Sequence, residues 1–492
     1  MLYIRLKKLD FESELLDLIK LFFNEEEILI TKDDFTQNSS EILLDGDLEI
    51  TGETSSYRIK YISSDCKMEY ILPLSGIIPD KTKIPERKVF KREIQRGIYS
   101  LLSKALGKNL PWGILTGIRP AKIVHELMEK GLSQYKINDR LKDYYFLSEE
   151  KARLLYEVAA AEKGLLEASQ PDFVSLYIGI PFCLSRCLYC SFTSYSIHQY
   201  SSLVGKYFEA LKYELASIGE IIGARGMKVQ SIYIGGGTPT AVSAAYIKDL
   251  LASVEDLISL AWLQEFTLEA GRPDSIDAEK LAVIKDSAVD RISINPQTMN
   301  DETLKLIGRN HTSKDLADAY KLARNMGFGN INMDVIVGLP GENIHIFEDT
   351  LKQILEMNPE SMTVHTMAIK RASRLKEERA GYQLIAEPEA VEMINMAHKY
   401  ANLMNMHPYY LYRQKNMLGN LENIGYSKPG CESTYNVQIM EEKQSIIAAG
   451  AGAITKVVYP EENRIERAFN VKGVEEYITR IDEMIYRKKL LF

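Results

Sequence analysis

Val174-Ser175-Leu176-Tyr177-Ile178-Gly179-Ile180 is an apolar run that breaks at Pro181 and delivers Cys183, Cys187 and Cys190 within eight residues. Such a run bounded by a proline predicts a buried strand, and the cysteines start three residues after it. Soft thiolates at x3 and x2 spacing can wrap one metal centre in a single loop. Three ligands leave a four-coordinate metal or a cubane cluster one short. A structural zinc wants a fourth protein ligand, for which His198 is the candidate. A [4Fe–4S] cluster with one open iron needs none and keeps a site for a substrate. Three buried thiols without a metal are the remaining reading.

Outward from this loop the texture alternates. Strands are predicted at 174–180, 231–236, 265–270, 290–295, 331–338 and 361–369, with amphipathic helices such as YFEALKYELASIGEII and ADAYKLARNMG in the gaps. Strand followed by helix, six times, predicts an α/β fold with a parallel sheet and helical crossovers. Six units rather than eight predict a partial (β/α)6 barrel. The later strand ends carry Gly235-Gly236-Gly237-Thr238-Pro239, Glu269, Asn295-Pro296-Gln297, Asp334 with Gly338-Leu339-Pro340, and His365. Barrels build active sites at the C-terminal ends of their strands, so this equipment is expected on one face with the cysteines.

The remaining chain organises around that core. Residues 1–165 read as an N-terminal α+β domain. Short β stretches (EEEILI, EILLDGDLEI, SYRIKYI) come first, with Asp45-Gly46-Asp47 as a hairpin turn. Helical patterns over about 88–163 follow, with Gly107, Gly131 and Gly164 at helix ends. Residues 167–172 are the expected linker, 173–385 the partial barrel, and 386–492 a C-terminal, mostly helical covering unit that is loop-rich around Tyr409 to Gly430.

Composition narrows the function. Of 492 residues 46% are hydrophobic and 26% charged, which excludes a mostly disordered chain. A net charge of −8 argues against a nucleic-acid coat. Segment 81–153 nevertheless carries +9 and the rest −17. A basic module docked on an acidic one, an anionic small molecule, and RNA on a helix-turn-helix-like run at 118–153 are its three readings, with nucleic acid ranked last. Five cysteines, three of them clustered, are no disulfide framework. The N-terminus lacks the pattern of a signal peptide. The longest apolar run, Ile446 to Ile454, is far short of the ~20 residues that span a bilayer. A reducing cytoplasm, with no membrane association, is the expected compartment.

Y-x-G-I-P-F-C-x3-C-x-Y-C, GGGTP, the acidic strand end, the N-P-Q turn and D-V-I-V-G-L-P, in this order over 174–375, resemble a radical S-adenosylmethionine (SAM) enzyme. More narrowly they resemble the oxygen-independent coproporphyrinogen III oxidases. PWGILTGIRPAKI (111–123) and YYLYRQKNMLGNLENIGYSKPG (409–430) are similar to the longer HemZ-type branch.

The resemblance implies that Cys183, Cys187 and Cys190 hold three irons of a [4Fe–4S] cluster whose fourth iron chelates SAM. It implies that Tyr177 and Tyr189 line that site and that Gly236, Gly237 and Thr238 contact SAM or a second copy of it. Glu269, Gln297, Arg309 and Asp334 would bind its amino-acid or ribose ends, and Ala368 would lie near the adenine. The implied reaction is anaerobic oxidative decarboxylation of coproporphyrinogen III to protoporphyrinogen IX, fed by a flavodoxin- or ferredoxin-like electron donor. For an anionic tetrapyrrole, Lys370, Arg371 and Arg374 after the sixth strand and Arg413 beside Tyr409, Tyr410 and Tyr412 are candidate contacts. Cys66 and Cys431 have no clustered partners and read as structural.

The sequence also departs from the family pattern. Gly179 stands where many relatives have His, and Ser191-Phe192 replaces the Gly-Cys that follows the cluster in the best-known oxidases. The His-Asn-x-x-Tyr-Trp element of the haem-chaperone branch is absent, with Tyr412-Arg413-Gln414-Lys415-Asn416 in its region. A radical enzyme acting on haem or another tetrapyrrole, and a haem-binding trafficking protein, are the alternatives.

Overall fold

In a computed structural model the chain packs as two units, Met1–Tyr156 and Glu157–Phe492. The structure describes residues 2–6, 11–23, 28–30, 42–51, 54–73, 84–192, 194–370, 373–377, 382, 384–414, 417–462 and 464–492. Arg371, Lys415 and Asn416 lie outside these.

The first unit carries a five-stranded sheet in the order β2-β1-β3-β4-β5, made of β1 (Leu2–Leu6), β2 (Ile28–Ile30), β3 (Ile42–Thr51), β4 (Thr54–Ile62) and β5 (Lys67–Pro73). The helix Ile84–Leu106 packs on β4 and β5. Asp45-Gly46-Asp47 is not a turn. It runs through the middle of β3, opposite Lys60, Ile59 and Arg58, and the chain reverses between Thr51 and Thr54. Two forces hold it there. Asp45 accepts from Arg5 Nε at 2.9 Å, and a Cβ at Gly46 would come within 2.8 Å of both the Tyr57 hydroxyl and Leu6, so glycine admits a close approach rather than a reversal. Gly107 and Gly131 do follow helix ends, whereas Gly164 lies inside the helix Glu149–Glu167.

The second unit is built on one sheet. Its parallel strands are β6 (Phe173–Ile180), β9 (Lys228–Gly236), β10 (Glu265–Gly271), β11 (Arg291–Ile294), β12 (Ile331–Val337) and β13 (Ser361–Thr366), adjacent in that order. Two short pieces, β7 (Phe182–Cys183) and β8 (Tyr195–Ser196), pair with each other in the cysteine loop. The helices Ser201–Ala224, Ala244–Leu257, Ala278–Lys285, Ser313–Asn325 and Ile344–Met357 fill the crossovers. The strands are buried on both faces, as β11 shows at all four of its residues, which is why they read as continuous apolar runs.

Residues after 386 contribute helices at Glu387–Leu403, Thr434–Glu441, Val474–Thr479 and Ile481–Lys489. They also supply strands β14 (His407–Tyr412), β15 (Asn423–Ser427), β16 (Ser445–Ala449), β17 (Ile454–Tyr459) and β18 (Arg464–Phe469), so the stretch read as loop-rich carries two strands. β15 and β14 extend the sheet antiparallel beyond β13, while β16 joins parallel to β6 on the other side and leads into β17 and β18. The resulting order is β14-β15-β13-β12-β11-β10-β9-β6-β16-β17-β18, and β14 and β18 are its two ends. The connection from β15 to β16 reaches the core of this partial barrel. There Tyr435 stacks on Tyr233 and Ser433 donates to Glu265 Oε1 at 2.8 Å.

Candidate functional site

The cysteine loop is held by backbone bonds on every side. Gly237 N–H donates to the Ile180 carbonyl at 2.8 Å and Thr238 N–H to that of Phe182 at 2.7 Å. Leu188 N–H donates to the Ile307 carbonyl and its own carbonyl accepts from the Leu375 N–H, both at 3.0 Å. The glycine run follows from this close docking. A Cβ at Gly237 would sit 2.6 Å from the Phe182 carbonyl oxygen and 3.0 Å from Cys183 Sγ. Thr238 Oγ1 donates to that sulfur at 3.6 Å.

One more side chain, which the sequence reading passed over, locks the loop. Arg272, just beyond β10 and past the register shift between Glu269 and Gly271, is buried. It grips Asp274 through two nitrogens at 2.9 and 2.6 Å and donates to the Ser185 hydroxyl at 2.8 Å. Burial works against the Asp274 carboxylate, but the Arg272 guanidinium outweighs it and holds that carboxyl below its ordinary range.

The strand ends enclose a cavity of about 260 Å³. Of the residues singled out from sequence, Cys183, Cys187, Tyr189, Cys190, Gly236, Gly237, Thr238, Glu269, Gln297, Arg309, Asp334 and Ala368 all line it, as does Lys370. Tyr177 does not; it stacks on Tyr233 and Tyr435 instead. Of the other expected substrate contacts, Tyr412 lines the cavity. Tyr409, Tyr410 and Arg413 are buried away from its lining, and Arg413 donates to the Asn420 carbonyl at 2.8 Å. Arg374 is exposed and is not among the lining residues.

The polar part of the lining is a hydrogen-bonded set. Asp334 accepts from Asn332 Nδ2 at 2.7 Å and faces His365 Nε2 at 3.7 Å. Burial raises its pKa, yet these partners outweigh burial and hold it below the usual range. Gln297 adopts φ +65° and donates its N–H to the Asp334 carbonyl at 2.8 Å, extending the sheet past β11. Glu269 is different: burial and the nearby Asp334 charge push it up to about 7, against hydrogen bonds from Tyr233 and the Gly236 N–H. Arg309 is buried, donates to the Asn295 carbonyl at 2.6 Å, and bonds Tyr189 and Cys187. Its Nε is buried without a partner among the described residues.

These residues fit a cluster better than a structural zinc. Three thiols face the cavity from one loop, and His198, the candidate fourth zinc ligand, is not among the lining residues. The rest of the lining offers carboxylates, an amide and a guanidinium, the groups that take the ammonium, hydroxyls and carboxylate of an amino-acid nucleoside. Burial, helped by the neighbouring Cys190 and Cys187 and opposed by the Thr238 hydrogen bond and Arg272, pushes the Cys183 thiol up to about 11, a tendency that a bound iron centre reverses.

Comparison with known proteins agrees. The radical SAM superfamily signature matches residues 177–354. The chain is 42% identical over 410 residues, 82% of its length, to 81% of the oxygen-independent coproporphyrinogen-III oxidase-like protein HemZ of Bacillus subtilis. The chain belongs to the radical SAM superfamily, in its coproporphyrinogen III oxidase-like family. It is also 32% identical to the haem chaperone HemW of the same organism, covering 63% of this chain and 76% of that protein. Among solved structures, the coproporphyrinogen III oxidase HemN of Escherichia coli shares the fold, with a TM-score of 0.52 at 21% identity over 66% of this chain and 73% of that one.

Radical SAM proteins use a [4Fe–4S] cluster and SAM, so these are the cofactors of this family member. No helix among the described residues is long and apolar enough to cross a membrane.

Proposed function

We propose that this radical SAM protein oxidatively decarboxylates the propionate side chains of coproporphyrinogen III. The observation that carries the reading is the single cavity that brings three thiols, a carboxylate–amide–guanidinium wall and Lys370 together. Cys183, Cys187 and Cys190 would ligate three irons. Glu269, Gln297, Asp334 and Arg309 would orient SAM, and Tyr189 would be held by Arg309 at the same site. When bound, the reduced cluster supplies the electron that splits SAM into methionine and a 5′-deoxyadenosyl radical. Lys370 is half-buried and burial pushes its pKa down, against the Cys190 charge; an ammonium in that state gains from an anionic partner, as a propionate would be. Tyr412, Gln414 and Asn423, from the C-terminal third of the chain, complete the lining and would cover the substrate.

Per side chain, the substrate would lose one hydrogen atom, carbon dioxide and one electron, the last to a one-electron acceptor, leaving a vinyl group. A flavodoxin- or ferredoxin-like protein would supply the reducing electron.

The likeness to a haem chaperone favours a second reading, haem binding without turnover; the missing His-Asn-x-x-Tyr-Trp element counts against it. Anaerobically reconstituted protein given SAM, a strong reductant and coproporphyrinogen III separates the two by mass spectrometry. Loss of one and then two carboxyl groups with matching 5′-deoxyadenosine supports the decarboxylase. Stoichiometric haem binding without either product overturns it.

A further inference from the structure

Tyr233 lies on β9 two residues before the glycine run, and neither it nor Tyr435 lines the cavity. Its hydroxyl donates to Glu269 Oε1 at 2.5 Å. Its ring stacks on Tyr435 with centroids 4.6 Å apart and planes at 22°, and both rings stack on Tyr177 at 6.3 and 6.2 Å. The strand is shaped for this pair: a Cβ at Gly235 would come within 2.8 Å of Tyr233 Cε1 and 3.0 Å of Glu269 Oε2. Tyr435 itself is fixed by its backbone N–H, which donates to Glu265 at 3.2 Å.

We propose that Tyr233, braced by Tyr435 from the C-terminal segment, is a positioning residue that keeps the Glu269 carboxylate ionised and oriented for SAM. The inference rests on the functional reading above and names a route, besides the direct lining by Tyr412, Gln414 and Asn423, through which the C-terminal segment acts on the cofactor site.

The charges around Glu269 show why a donor is needed. Asp334 on β12 repels its ionised form, His365 on β13 attracts it, and the Gly236 N–H and Tyr233 hydroxyl bond it. Arg291 from β11 is a cation whose charge Tyr233 feels. Burial and the Glu269 charge push the Tyr233 phenol well above 10, so it stays protonated and donating. Burial has already brought Glu269 to about 7 with both donors in place. Without the hydroxyl, the carboxyl holds its proton to higher pH and loses the charge that an ammonium or ribose diol would meet.

Equilibrium binding of SAM to the anaerobically reconstituted full chain, over a series from about pH 6 to about pH 9, tests this. Wild-type affinity should fall as pH drops through about 7. Tyr233→Phe should move that fall upward by about one pH unit, weakening binding roughly fivefold at about pH 7, with the curves converging at the alkaline end. Tyr435→Leu removes the brace but not the hydroxyl and should shift the curve the same way by less. Superimposable wild-type and Tyr233→Phe curves overturn the proposal, as does a variant curve weaker by one constant factor at every pH, the mark of general damage. If Tyr233→Phe fails to take up iron, an unshifted Tyr435→Leu curve overturns it instead. No binding by wild-type protein with a full cluster overturns the functional reading itself, and this inference with it.

Discussion

Arg272 donates to both the carbonyl and the hydroxyl of Ser185, at 3.2 and 2.8 Å, and so ties the end of β10 to the loop between Cys183 and Cys187. Ser185 passes the tie on by donating to the Gly308 carbonyl at 2.9 Å. The loop that presents the thiols is therefore set by a partly buried ion pair as well as by its own turns.

Replacing Arg272 by Gln removes the partner of Asp274 and the clasp on Ser185 together. Arg272 is buried while Asp274 reaches solvent, so the cost falls below the about 3–5 kcal/mol of breaking a fully buried pair from one side and is concentrated in the cysteine loop. The expected result is protein that folds but loses iron and sulfide faster in air and after gel filtration. Arg272→Lys should rescue only partly, because lysine keeps the charge and cannot grip Asp274 with two nitrogens. Cluster retention equal to wild type in Arg272→Gln would show that the loop does not depend on the clasp.

Gly237→Ala tests the docking of the glycine run. The added methyl would meet the Phe182 carbonyl at 2.6 Å and Cys183 Sγ at 3.0 Å. Neither contact is the far end of a flexible side chain, so the strain of about 1–3 kcal/mol must move Cys183 or the run itself. Reduced iron per chain after anaerobic reconstitution is expected, with far-ultraviolet circular dichroism unchanged. Full iron content would mean that the loop accommodates the methyl.

The parts of this site that were legible in sequence share one property: each is carried by a single short segment. The cysteine loop, GGGTP and the polar strand ends are local signals on strands whose burial makes them continuous apolar runs. What was missed depends on pairing between segments. Tyr233 and Glu269 are 36 residues apart and meet only because β9 and β10 are neighbours. Arg272 looked like the residue after a strand, although extending the strand-end reading by three residues past Glu269 would have reached it. Arg413 beside three tyrosines resembled a substrate surface, but β14 pairs with β15 and carries it into the protein. Strands β17 and β18 are only partly buried and antiparallel, so they lack the continuous apolar run that revealed the barrel strands.

Lys488 and Glu214 form an ion pair at 2.5 Å with side chains essentially inaccessible to solvent. Glu214 also accepts from the Tyr477 hydroxyl at 2.6 Å and from the Gly450 N–H at 2.8 Å. A Cβ at Gly450 would lie 2.3 Å from the Gly179 carbonyl oxygen, so the network sits behind the end of β6 where the cysteine loop begins. Lys488→Met leaves the carboxylate buried beside neutral donors only and should cost about 3–5 kcal/mol. Lys488→Met with Glu214→Gln should recover much of that. Equal thermal midpoints for single and double variants would show that the charges are not coupled.

Glu342 follows the Gly338-Leu339-Pro340-Gly341 turn, is buried, and accepts from Thr298 Oγ1 at 2.5 Å. Burial pushes its carboxyl up to about 7, against the threonine hydrogen bonds that favour the charge. The folded chain therefore holds this proton across the interval from the unfolded value near 4.5 up to about 7, and the contribution of Glu342 to stability falls as pH rises through it. Glutamine keeps the acceptor oxygen and never ionises. Glu342→Gln should thus be close to neutral at about pH 4.5 and stabilising by on the order of 2 kcal/mol at about pH 8. The check is the difference in thermal midpoint between variant and wild type, measured at both pH values with matched cluster content. A difference that does not change with pH would mean that Glu342 is already ionised without cost in the folded chain.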